Sequence, residues 1–285
     1  MRKLLLQLDT SRHPSVFDRI VALDAGADEV LSYGGVTEDA VRDLVHGAIF
    51  TRSPKNLHHT AIFIGGTEIA AGERLLAAAR KAFFGPLRVS VMLDSNGSNT
   101  TAVAAVAKLR QAAGNLDGRR AVVAAATGPV GMRAAGLLAQ AGVDVVVTSR
   151  RSDGAAEAAA RIQQRFGRDV KPATLAQPSQ APAILDGAEL LLAAGGAGVA
   201  LVPREAWTGR PGLRAAADVN AVPPLGIEGI EVTDDGAERG GVKTFGALGV
   251  GNLKMQIHKA CIARLFERND LVLDAELIAE LASQS

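Results

Sequence analysis

Residues Ala121–Arg151 read AVVAAATGPVGMRAAGLLAQAGVDVVVTSRR, and this stretch decides the fold. Its opening residues, Ala121–Ala125, form a continuous apolar run suited to a central parallel strand. Ala126-Thr127-Gly128-Pro129-Val130-Gly131 turns the chain into a helical stretch, Met132–Gln140, and Val143–Thr148 is a second strand. Strand, glycine-bearing turn, helix and strand are the parts of a dinucleotide site. The middle glycine lets the backbone approach a pyrophosphate, and the helix N-terminus offers free N–H groups and partial positive charge. Gly128 and Gly131 fill the second and third glycine positions, but Ala126 stands at the first. If that position needs a positive φ, alanine costs on the order of 1 kcal/mol. The reading therefore rests on the strand–turn–helix–strand context more than on the glycines.

The end of the second strand bears on the nucleotide. An NAD site places Asp or Glu there to accept from the ribose 2′-hydroxyl. Here the end is Thr148-Ser149-Arg150-Arg151, with no acid before Asp153. A guanidinium suits a 2′-phosphate, which a carboxylate would repel. The expected cofactor is NADP, with NAD as the alternative. The expected cofactor residues are Thr127, Gly128, Pro129, Val130, Gly131, Ser149, Arg150 and Arg151, joined by Ala194 and Asn220 at the ends of later strands.

Outward from this segment the alternation continues. Lys3–Leu8, Glu29–Tyr33, Thr60–Ile64 and Arg88–Leu93 read as strands, separated by helical spacing in Pro14–Ala25, Thr37–Val45 and Ile69–Phe83. A polar turn, Asp94–Thr101, leads into an alanine-rich helix ending near Gly114. Leu190–Ala194 and Leu213–Val219 are further strands. Ala155–Phe166 is an amphipathic helix, Gln177–Pro182 is a polar segment, a long helical pattern runs from about Gly246 to Arg268, and Asp274–Ser283 is a closing helix. Such alternation predicts an α/β protein with parallel sheets and helices on both faces. The expected division is a substrate domain at 1–105 and 255–285 and a Rossmann-type nucleotide domain at 106–254, with the C-terminal helices returning to the first.

Composition narrows the class. The net charge of +1 gives no footprint for nucleic acid. The single cysteine, Cys261, has no internal partner, which fits a reducing cytoplasm. The N-terminal apolar run is broken by Gln7 and Asp9, so it reads as a first buried strand rather than a signal peptide or membrane span. The adjacent histidines His58 and His59 lack a Cys or acidic cluster, so no metal site is expected. A G-x-S-x-G elbow and a P-loop lysine are also missing.

Three stretches carry candidate chemistry. Lys254 and His258 are spaced i, i+4 on one helical face, after glycines that allow close approach of a ligand or a neighbouring strand. The turn holding Asp94, Asn96, Ser98, Asn99 and Thr100 follows a parallel strand, where α/β sheets bind ligands, although such residues are also good turn formers. Asp218–Gly226 follows another strand, stiffened by Pro223 and Pro224.

At these residues the chain resembles the NADP-dependent methylene-tetrahydromethanopterin dehydrogenases over essentially its full length. The likeness lies in PSVFD (Pro14–Asp18), AAGERLL (Ala70–Leu76), MLDSNGSNTTA (Met92–Ala102), TGPVGMRAA (Thr127–Ala135), PPLGIEGI (Pro223–Ile230), and FGALGVGNLK with HKACIARLFE (Phe245–Glu267). It implies a fold related to methylene-tetrahydrofolate dehydrogenases, a tetrahydromethanopterin-type substrate in the cleft between domains, and a homo-oligomer. By the same resemblance Phe17, Thr101, Lys254 and His258 are the catalytic positions; Asp94, Asn96, Ser98, Asn99 and Thr100, in the polar turn after the parallel strand, are the expected substrate contacts. The implied reaction moves hydride from the methylene carbon to NADP⁺, in formaldehyde oxidation. The product cation is shared by two nitrogens and no proton leaves carbon, so no strong general base is needed and positioning dominates. The rivals are a tetrahydrofolate-specific dehydrogenase and a nucleotide-binding sensor without turnover. A dehydrogenase–cyclohydrolase is a further alternative for which no residue argues.

Overall fold

A computed structural model describes Met1–Gln284 of the 285-residue chain. The first part alternates strictly: β1 (Leu4–Asp9), α1 (Val16–Asp24), β2 (Glu29–Tyr33), α2 (Glu38–Ile49), β3 (Thr60–Gly65), α3 (Ile69–Ala82), β4 (Ser90–Leu93) and α4 (Ser98–Ala113). There follow β5 (Arg120–Ala124), α5 (Pro129–Gln140), β6 (Asp144–Ser149), α6 (Ser152–Phe166), β7 (Lys171–Thr174), α7 (Ala181–Ile184), β8 (Leu190–Ala193), α8 (Arg204–Trp207), β9 (Ala215–Asp218), β10 (Asp235–Arg239) and β11 (Val242–Phe245). The chain closes with α9 (Ala247–Arg264), β12 (Val272–Leu273) and α10 (Ala275–Ser283).

Two compact units result. One comprises Met1–Thr100 and the chain from Met255 onward; the other is Thr101–Lys254. The first division falls at Thr100/Thr101 rather than the expected 105/106, inside α4.

In the first unit the strands lie in the order β12-β4-β3-β1-β2, all parallel. β3 and β4 are buried at every residue, which explains their uninterrupted apolar runs. Leu8, Ile62, Ile64, Val91 and Leu93 pack in one cluster with residues such as Val45 of α2 and Leu75 of α3. Ser15 caps α1: its hydroxyl accepts from the Asp18 N–H at 3.1 Å.

The second unit has a seven-stranded sheet, order β10-β11-β9-β8-β5-β6-β7, parallel except for the β10–β11 hairpin. The chain steps outward from β5 to β6 and β7, then returns to place β8 on the other side of β5. That reversal makes a topological switch point, where open α/β sheets bind ligands at the strands' carboxyl ends. Val122, Val146, Leu191 and Ala216 share a core with Leu185, Trp207 and Ile227.

Four strands escape the sequence reading. β7 reads KPAT, too short and polar for an apolar-run criterion; its Pro172 is tolerated because β7 is an edge. The β10–β11 hairpin carries alternating polar residues around Gly240-Gly241, both at positive φ, the conformation a two-residue hairpin turn requires. β12 has only two residues. The long C-terminal helix ends at Arg264, short of the expected Arg268.

Candidate active site

In the second unit the loops after β5, β8 and β9 assemble around the N-terminus of α5. The turn residue at positive φ is Ala125 (φ 55°), not Ala126, which is fully buried and donates its N–H to the Thr148 carbonyl at 2.9 Å. Ala125 is secured by its own N–H to the Thr148 hydroxyl at 3.1 Å. The alanine expected to carry the strained position is thus a buried sheet neighbour, and the residue before it makes the turn. Gly131 is needed for packing: a Cβ there would sit 2.8 Å from the Ala126 Cα. Gly128 caps α5 with Pro129 at the first turn, and a Cβ on it would meet only the Ala194 carbonyl, at 3.8 Å. The N-terminus of α5 therefore has the open backbone approach that a pyrophosphate requires.

Ala194 lies against this turn, its N–H bonded to the Ala124 carbonyl at 3.0 Å. Asn220 reaches it indirectly: its amide donates to the Gly196 carbonyl at 3.4 Å and its side-chain oxygen accepts from the Val222 N–H at 3.0 Å. Asp218, at the end of β9, is fully buried. Burial raises its carboxyl above the usual range, against N–H donors from Asn220 and Ile227 that oppose the shift. Asp218 thereby pins the ends of the loop that contains the cis Pro223–Pro224 bond.

Beside the turn a concavity of about 300 Å³ is lined by Thr127, Ser149, Arg151, Gly154, Glu157 and Arg161, among others. A Cβ at Gly154 would lie 2.8 Å from the Ser149 hydroxyl, so this glycine keeps room at the strand end. Arg151 makes a two-point contact with Asp153, and this pairing raises the guanidinium and lowers the carboxyl. Arg150 does not line the concavity. Arg161 and Glu157 do, and the sequence reading missed both. They sit on α6, beyond the strand end where the motif is sought, and only the packing of α6 places them on the concavity shared with Thr127 and Ser149.

In the first unit the expected substrate turn is largely internal. Asp94 is buried; one oxygen accepts the N–H groups of Asn99 and Thr100 at 2.9 and 3.0 Å, and the other accepts the Thr100 hydroxyl at 2.6 Å. It thereby organises the first turn of α4. The Asn99 amide donates to Asp274 at 3.2 Å, and the Ser98 hydroxyl donates to the Ser95 carbonyl at 2.8 Å. Only Asn96 of the five exposes its side chain, and it holds a left-handed φ of 53°. Thr101, the next residue of α4, is half-buried.

His258 is fully buried. Its ring stacks on Phe63 at 5.5 Å, lies 6.5 Å from the Phe17 ring, and its Nδ1 is 3.8 Å from an Asp94 oxygen. Phe17, by contrast, is 51% exposed. The first unit thus joins Phe17, His258 and Asp94, and adds Phe63, which reads in the sequence simply as strand core. Lys254 precedes His258 by one turn of α9 and is half-buried. Cys261 is buried, and burial, followed by the Asp94 charge, pushes its thiol up to about 12, so it is not a nucleophile at neutral pH.

The glycines before Lys254 serve the fold. A Cβ on Gly246 would lie 2.0 Å from the Glu231 carbonyl and one on Gly249 2.2 Å from that of Asp234. The close approach they permit is that of chain segment 231–234. Among the described residues no cluster of His, Cys, Asp and Glu could hold a metal ion, and no helix is long and apolar enough to cross a membrane.

A family model described as methylene-tetrahydromethanopterin dehydrogenase, N-terminal, matches residues 16–96. A protein of Methylorubrum extorquens named NAD(P)-dependent methylenetetrahydromethanopterin dehydrogenase is 34% identical, covering 96% of this chain and 95% of its own. The chain belongs to the methylene-tetrahydromethanopterin dehydrogenase family. As a member of that family it is an NAD(P)-dependent oxidoreductase of one-carbon metabolism. A second relative from the same organism, named bifunctional protein MdtA, is 50% identical over 99% of both chains. Among solved structures, quinate dehydrogenase from Corynebacterium glutamicum matches with a TM-score of 0.53 at 17% identity, covering 100% of this chain and 99% of that one. Shikimate 5-dehydrogenase from Listeria monocytogenes matches at 0.52 and 15%, covering 98% and 96%. These establish the two-sheet α/β fold.

Proposed function

We propose that this protein oxidises 5,10-methylene-tetrahydromethanopterin to the methenyl form with NADP⁺ as hydride acceptor. The observation that carries the nucleotide preference is the concavity at the end of β6, where two hydroxyls and two guanidinium groups stand in place of a strand-end carboxylate. The pterin comes from family membership and from the 34% identical relative's name. The nucleotide, when bound, accepts the hydride. The chain's part is to hold it: the N-terminus of α5 for the pyrophosphate, the loops at Ala194 and Asn220 beyond it, and the concavity at Ser149 and Arg151 for the 2′-phosphate, with Arg150 outside that concavity.

On the substrate, Phe17 offers an exposed ring for a flat pterin or its aryl group. His258 is fixed by Phe63 and Asp94, and Thr101 and Lys254 hold polar edges. Asn96 is the member of its turn with a side chain in reach of a ligand; Asp94, Ser98, Asn99 and Thr100 act by holding that turn. A cationic Lys254 opposes the forming methenyl cation, so its task is orientation rather than charge stabilisation.

The test is turnover of purified protein with methylene-tetrahydromethanopterin and methylene-tetrahydrofolate, each with NADP⁺ and NAD⁺, following the reduced nucleotide. Fast reduction with the methanopterin and NADP⁺ supports the reading, and reduction with no pair overturns it. The relative named bifunctional favours a second reading, in which the folate is also oxidised; comparable rates with both pterins would establish it. We also propose a homo-oligomer in the cytoplasm. Its support is an exposed apolar stripe on α1, with Val16 and Ile20 at 70% and 54% exposure, and light scattering tests it.

A further inference from the structure

We infer that Arg161, in the third turn of α6, is the residue that reads the nucleotide's 2′-phosphate. The inference rests on the NADP reading above and relocates its principal contact. Arg150 and Arg151 are the guanidinium groups the strand end suggests, yet neither stands ready. Arg150 does not line the concavity, and Arg151 is held in a two-point contact by Asp153 on its own helix. Arg161 lines the same concavity and makes no hydrogen bond or ion pair with any described residue.

Its surroundings fit a phosphate dianion. The hydroxyls of Thr127 and Ser149 line the same space, and Gly154 leaves room beside Ser149. The first turn of α6 contributes its positive end. Glu157 lies one helical turn before Arg161 and lines the concavity too, yet no contact within 4 Å pairs the two. This carboxylate disfavours a bare anion and makes the unpaired guanidinium necessary: without Arg161 the concavity would keep Glu157 and an arginine already neutralised by Asp153. Arg161 is thus a specificity-determining residue, read from the fold and not from the strand-end motif.

The test is calorimetric titration of the full-length protein with 2′,5′-ADP and with 5′-AMP, which isolates the subsite from turnover. The parent protein should bind 2′,5′-ADP the more tightly. Arg161→Ala should weaken 2′,5′-ADP by about tenfold to a hundredfold, the range for a lost charge-assisted contact, and leave 5′-AMP unchanged. Arg161→Lys should recover part of the loss, and Arg151→Ala should cost less than Arg161→Ala. Arg161 is exposed, so these variants fold. A parent without preference for 2′,5′-ADP would overturn the NADP reading itself. A parent with the preference and an Arg161→Ala variant that keeps it would overturn the assignment of Arg161 alone.

Discussion

Gly128 and Gly131 stand three residues apart in one turn, and alanine at each should do different damage. At position 131 the new Cβ would lie 2.8 Å from the Ala126 Cα and 3.3 Å from both the Ala125 carbonyl and the Ala194 Cβ. These are mostly backbone atoms of a turn tied to β6, so they cannot step aside. Overpacking of this kind costs about 1–3 kcal/mol. Alanine recovers up to about 1 kcal/mol of helix propensity at a position inside α5. The net loss should be about 1–2 kcal/mol, or about 2–8 °C in Tm for a unit of this size. Position 128 has φ −80° and ψ 165°, which alanine adopts freely, and the nearest neighbour is an ordinary contact at 3.8 Å. Gly128→Ala should shift stability by less than about 0.5 kcal/mol. Its methyl group stands where a pyrophosphate approaches the helix N-terminus, so NADPH affinity should fall about tenfold or more. Scanning calorimetry without nucleotide, paired with NADPH fluorescence titration, separates the two effects. The reasoning is refuted if Gly128→Ala melts as early as Gly131→Ala, or if it binds NADPH as tightly as the parent.

Other outcomes follow from the same geometry. Phe17→Ala removes a half-exposed ring, so Tm should stay within about 2 °C while KM for the pterin rises several-fold; an unchanged KM removes Phe17 from the substrate site. Lys254→Ala should lower kcat/KM for the pterin at least about tenfold, the size of one lost charge-assisted contact. Steady-state rates equal to the parent's would dismiss its orienting role. Asp234 makes a pH-dependent contribution. Burial opposes its ionisation, but the Arg239 contact at 2.7 Å, the Glu231 N–H and the Thr244 hydroxyl outweigh it and hold the carboxyl below its usual range. A lowered folded-state pKa means stability that is present above the unfolded value near about 4 and lost as pH falls through the folded one. Asp234→Asn should therefore be less stable than the parent at neutral pH by about 1–3 kcal/mol, with the gap closing in acid. Urea unfolding at several pH values checks this, and a gap that stays constant contradicts it.

The sequence by itself determined the alternation and hence the α/β class. Continuous apolar strands such as Thr60–Gly65 and Leu190–Ala193 are read locally because parallel strands are buried on both faces. It also located the turn at Thr127–Gly131, since glycine's permissiveness marks close approach wherever it occurs. What it could not settle were the quantities that depend on who meets whom. That the strained alanine is Ala125 follows from hydrogen bonds to Thr148, a strand away. That Asp94 holds a helix rather than facing outward follows from its burial beneath α4 and against His258. That Gly246 and Gly249 admit chain segment 231–234 follows from contacts made only in the folded unit. Arg161 shows the division most plainly. Its charge is legible at once, but that it lines one concavity with Thr127 and Ser149 depends on how α6 packs beside the turn, and only tertiary packing sets that.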